Sequence, residues 1–219
     1  MSTVANVDAL IIRNMSTIEQ SMDHLINVIE PRVFGAIKEE ITDWIEKKRW
    51  VGEATYKDRK QDLEIWLRPT TWRTSPGEPT ECGRAYFSLS GLSEEDDLSW
   101  VTVLCGANKG EIGFLTEFDW RDAGLAKKDW QALAQQHQNE TKQLPQAGFR
   151  FDDKEGVWAL PVHVDAEKLA QAIEEDDIAS ALEPLRVVLE TLGRTVDLWD
   201  ALVAKIIKSD NSRRKSGNA

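Results

Sequence analysis

Cysteine is nearly absent: the 219 residues hold two, Cys82 and Cys105. Two thiols in a chain of this size make no disulfide framework, so a reducing cytoplasm is the expected compartment. The first twenty residues, MSTVANVDALIIRNMSTIEQ, lack a basic start followed by a long apolar stretch. No signal peptide is expected, and no apolar run approaches the length of a membrane span. Positive charge is also short: 27 Lys and Arg stand against 38 Asp and Glu, a net charge of −11. Such a surface repels phosphates and disfavours a general nucleic-acid binder, though it suits a basic protein partner or an acidic mimic of nucleic acid. Tyrosine is scarce, with two, but there are nine tryptophans. These serve either a core of large aromatics or a binding surface, where Trp is enriched.

Motifs that carry chemistry are scarce as well. VLCGANKGEIGF (103–114) sets glycines and a lysine between apolar runs. A phosphate loop needs Gly-Lys followed by a hydroxyl and a helix. Here Lys109 precedes Gly110 and no hydroxyl follows. A hairpin turn is expected instead, with Asn108 and Gly110 supplying positive φ. His24, His137 and His163 are far apart, no Cys-x-x-Cys exists, and the two EEDD runs at 94–97 and 174–177 lack calcium-loop spacing, so no metal or cofactor is expected. Ser88 and Ser90 do not lie in a nucleophile elbow, and Cys105 falls in an apolar run as an inert thiol. Acid-x-Lys triplets of the kind metal-dependent nucleases use occur at Glu46-Lys47-Lys48, Glu140-Thr141-Lys142 and Asp152-Asp153-Lys154, none on a predicted strand. Asp62 and Glu64 share a strand face, but Trp66 occupies the lysine position.

What is present is periodicity. Ile11, Met15, Ile18, Met22, Leu25 and Ile29 alternate in steps of four and three, one stripe of a helix. Ser16 and Glu19 have capping-box spacing, an alternative start. Pro31 predicts a break or kink near Glu30. Val33, Ile37, Ile41, Trp44 and Ile45 line a second helix ending near Lys48. The spacing predicts a helical hairpin or a bent helix over 1–49, and it admits a homodimer through these helices.

From residue 62 the period is two: LEIWLR (63–68), RAYFSL (84–89) and EIGFLTEF (111–118) read as half-buried strands. LSWVTVLC (98–105) reads as a central strand. A helix follows through Trp130, Leu133, Ala134 and His137, then a hairpin of GFRF and VWALPVHV whose Pro161 belongs at a sheet edge. Asp165 caps a short helix through Leu169 and Ile173. The last helix, with Pro184 in its first turn, keeps its period to Ile206. The tail 210–219 is basic and expected to be disordered. The expected fold is α+β: a central antiparallel sheet of five or six strands in a domain over 50–209, the N-terminal helical hairpin before it and C-terminal helices after it.

If the first two strands pair, Trp66, Arg68, Arg84 and Tyr86 share one face, and Trp72 and Trp100 extend it. These are residue types that dominate binding energy. The expected function is a non-enzymatic cytosolic protein-binding module, an adaptor, inhibitor or immunity-type partner acting through that aromatic and arginine surface. The alternatives are an enzyme or nuclease-associated subunit acting on nucleic acid, or an acidic mimic of it.

Overall fold

A computed structural model describes residues 2–57, 62–72, 83–93, 98–121 and 123–216; at 2–5, 57, 62 and 207–216 it describes the backbone alone. The period-two segments become strands. β1 (Val51–Lys57), β2 (Asp62–Arg68), β3 (Ala85–Gly91), β4 (Ile112–Phe118), β5 (Arg150–Asp152) and β6 (Val157–Val162) form one six-stranded sheet in the order β1-β2-β3-β4-β6-β5. Every neighbouring pair is antiparallel. The register sets Leu67 opposite Phe87, and Leu89 opposite Phe114, which faces Leu160. Alternation therefore places these apolar residues on one face, and all are buried. Each such side chain contributes roughly 1.5–3 kcal/mol by leaving water.

The helices cover that face. α2 (Glu30–Lys48) lays Val33, Phe34, Ile37 and Ile41 against the sheet, all at 0–1% exposure. α4 (Lys127–Glu140) and α7 (Glu183–Ser216) bring Trp130, His137 and Trp199 onto Phe87, Phe118 and Trp158. α6 (Ala166–Glu174) begins at Asp165, whose side chain accepts from the Lys168 N–H at 2.9 Å, the cap its position implies. α5 (Gln143–Gln146) is a single turn before β5. One core unites α2 with the sheet and α7, so the molecule does not divide near residue 49. The assigned helix α7 runs to Ser216, past the point at 209 where a polar tail was expected.

Of the two forms expected for the N-terminal segment, the bent helix is the one found and the hairpin is not, and three further expectations need correction. α1 (Ser2–His24) leads through a π-helical turn, Leu25–Ile29, straight into α2. The wider turn, in which the Glu30 N–H donates to the Leu25 carbonyl, absorbs Pro31 at the start of α2, where a missing N–H costs least. Ser16 lies inside α1 and caps nothing. Residues 98–105 form no strand: α3 (Trp100–Leu104) starts at Ser99, whose Oγ accepts from the Thr102 N–H at 3.2 Å. A short apolar run fits either state until its burial is known. Consequently 103–114 is no hairpin either. It is a turn from α3 into β4, in which Gly106, Asn108 and Lys109 have positive φ while Gly110 is extended. Pro161, as its missing N–H demands, lies beyond the end of β5, where β6 has no outer neighbour.

β1 is the strand the periodicity does not announce. Its inward positions are Gly52, Ala54 and Tyr56, opposite Leu67, Ile65 and Leu63. Glycine is required there by contact: a Cβ at position 52 would lie 2.5 Å from the Trp66 carbonyl oxygen and 2.6 Å from Ile45 Cδ1. Among the described residues, no helix is long and apolar enough to cross a membrane.

Candidate functional site

The aromatic and arginine residues expected to form a surface divide between two environments. Trp66 and Tyr86 lie on the face away from the helices, their rings edge-on at 6.4 Å. Arg68 and Arg84 share that face by alternation, and Arg84 pairs with Asp119 at 2.9 Å. Yet Trp66 is only 8% exposed and Arg68 1%. Trp72 crosses to the other side, where its ring meets Phe87 at 5.3 Å and its Nε1–H donates to Asp200 at 2.9 Å. Trp100 sits on α3 against Phe34. As a docking surface the six do not hold together, because three of them are buried. Trp44, Trp130, Trp158 and Trp199 are buried as well, so the tryptophan excess belongs mainly to the core.

Charged constellations are engaged locally. In the first acid-x-Lys triplet, Lys48 pairs with Glu190 of α7 at 2.8 Å. In the third, Asp152 Oδ1 accepts from the backbone N–H groups of Lys154 and Glu155, closing the β5–β6 turn. Gly106, Lys109, Glu111, Arg150 and His163 line an open pocket, but Arg150 is already held by Glu111 at 2.8 Å. Among the described residues, no three His, Cys, Asp or Glu side chains group as metal ligands would. The Cys105 thiol is pushed up by burial and by Asp165, which keeps it protonated. Cys82 and the first EEDD run lie outside the described residues.

Besides Arg68, two titratable side chains among the described residues are buried. Glu30, at the joint between the π turn and α2, is fully buried. Its Oε1 accepts from the Trp100 N–H and the Tyr56 hydroxyl, both at 3.3 Å, while Oε2 has no partner. Burial raises its pKa above the ordinary carboxylate value, and the two hydrogen bonds oppose that rise. His137 packs between Trp158 and Trp199, each ring at 5.6 Å, and its Nε2 has no partner. Burial, aided by Lys205, lowers its pKa against the opposing pull of Glu140.

The surface that stands out is α1. Its sequence is free of proline and glycine, and polar side chains such as Asn14 and Ser21 bond back to carbonyls one turn earlier, at 2.8 and 2.7 Å. Its apolar stripe continues through Leu25 and Ile29, which rest partly on the core, and then in steps of four into the buried Val33, Ile37 and Ile41 of α2. The described residues thus cover the second half of one amphipathic surface and leave the first open. Leu10 is 60% exposed, Ile11 48%, Ile12 69%, Met15 51%, Ile18 42% and Met22 46%. Single exposed apolar residues are ordinary, whereas a contiguous row of this length is not. The periodicity reveals which side of α1 is apolar; the absence of any cover is visible only in the fold. Comparison with known proteins finds no matching family model, no similar curated protein and no matching solved structure.

Proposed function

We propose that this protein is a non-enzymatic protein-binding module, of the adaptor, inhibitor or immunity-partner kind, and that its contact surface is the apolar face of α1. The reading rests on one observation: the stripe that α2 buries at Val33 and Ile37 stays open from Leu10 to Met22. A helix whose apolar face meets water gains little from packing, and it is marginal unless something covers it. The contact residues therefore differ from the aromatic set that composition suggested, while the mode of action stays the same. The acidic surface favours a partner that is neutral or basic where it meets the body.

Ile18→Glu tests the reading. In a dilute sample its melting temperature should stay within about 2 °C of wild type, because an exposed position contributes little to the monomer. In cross-linking mass spectrometry on source cells, the variant should lose the protein neighbours that wild type joins through α1. A large loss of stability would instead place the stripe inside the fold, and an unchanged set of neighbours would remove α1 as the contact.

A further inference from the structure

We infer that the occupant of the α1 face is α1 of a second copy of this chain, running antiparallel; this rests on the association reading above. Area supports it first. The half-exposed side chains from Val7 to Met22 offer on the order of 600 Å² per chain, so two copies would bury about 1,200 Å², the lower bound of stable interfaces. Form supports it next. Ile11, Met15, Ile18 and Met22 are spaced four, three, four, which reads the same in both directions. Antiparallel copies therefore set Ile11 against Met22 and Met15 against Ile18, and the stripe meets only itself. Unbranched methionine lets such a seam adapt its packing.

Charge selects both the partner and the direction. Along α1 the only basic residues are Arg13 and the terminal His24, against Asp8, Glu19 and Asp23. That balance disfavours an anionic membrane surface, which amphipathic helices meet through lysine and arginine. The seam's flanks, Ile12, Asn14, Glu19 and Ser21, carry one charge, and in the antiparallel pair Glu19 lies beside Ile12 of the other copy, so no like charges meet across the seam. Each chain carries a net charge of −11. A parallel pair would set two such bodies side by side. The antiparallel pair puts them at opposite ends of a helix roughly 30 Å long, several times the ~8 Å screening length of physiological salt.

Sedimentation equilibrium of the full chain tests the inference. At about 50 μM, a concentration at which a micromolar dimer is mostly formed, wild type should sediment at twice its 24.8 kDa chain mass. Ile11→Glu/Ile18→Glu should raise the dissociation constant at least ~100-fold, since charges would enter a dry seam. Its circular-dichroism melt should keep the body's transition, which separates lost pairing from lost folding. Spin labels at Asn6→Cys, with both native cysteines changed to Ser, should sit about 30 Å apart in the antiparallel pair and near 10 Å in a parallel one. A monomeric wild type, a dimer that survives the double variant, or the short spin distance overturns the inference. A monomer that floats with phosphatidylcholine vesicles also overturns it and gives the face to lipid. A monomer that still loses cross-linked neighbours on Ile18→Glu overturns self-pairing and leaves the association reading standing.

Discussion

Trp199→Ala is expected to remove about 3–5 kcal/mol of stability, which for a domain of ordinary stability is most of what it has. The indole is 0% exposed and is the hub of the aromatic core. Its ring lies within 5.1 to 6.3 Å of the rings of Phe87, Phe118, His137, Phe149 and Trp158. Those residues come from β3, β4, α4, the approach to β5, and β6, so one side chain of α7 ties three strands and the approach to a fourth to two helices. Truncation leaves a void that such rings cannot close without shifting the sheet. Urea unfolding by near-ultraviolet dichroism measures it. A loss under about 1 kcal/mol would mean that α7 does not pack as described.

The second large effect is an acid-side loss of stability through His137. Its folded pKa lies below its ordinary value, because burial disfavours the imidazolium and Lys205 repels it, with Glu140 opposing. The unfolded chain therefore binds a proton that the folded chain refuses. The stability His137 confers is complete above an unfolded pKa of about 6.5 and is lost as pH falls through the folded value, at up to about 1.4 kcal/mol per pH unit. Glu30 acts with the opposite sign. Its raised pKa gives stability that is present below the unfolded carboxylate value and lost as pH rises through the folded one. The readout is thus the difference between wild type and His137→Phe, which keeps an aromatic ring against Trp158 and Trp199. Between pH 7.5 and 5.5 wild type should lose more stability than the variant, by an amount that linkage limits to about 1.4 kcal/mol. Equal losses would mean that His137 is solvated.

Strands β3, β4 and β6 are legible because their inward residues are buried and most of their outward ones are partly open, which alternation records directly, whereas β2 alternates only in residue type, since Trp66 and Arg68 on its outer face are buried too. β1 is illegible for the opposite reason: it is pressed so close beneath Ile45 that its inward positions hold Gly52 and Ala54, which leave no apolar signal. α3 misleads because a five-residue helix with Val101, Val103 and Leu104 all buried has no period to display. The tryptophans mislead because residue type does not say which way a ring turns. Trp72 is fixed by Asp200, 128 positions away, a bond that local spacing cannot encode. The candidate site is half legible. The stripe on α1 is plain in the sequence, and so is the option of pairing through it. That α2 finds the sheet while α1 meets no cover among the described residues depends on a π turn just before Pro31, so that the helix runs on instead of folding back.

The central claim is that α1 is covered by a second α1. Amide hydrogen exchange of the full chain, followed at about 0.5 and 50 μM, tests it most directly, because mass action moves only what pairing protects. The account predicts that amides from Val7 to Met22 exchange many-fold more slowly in the concentrated sample, while those of β3 and β4 stay the same. Rates in α1 that ignore concentration would contradict it.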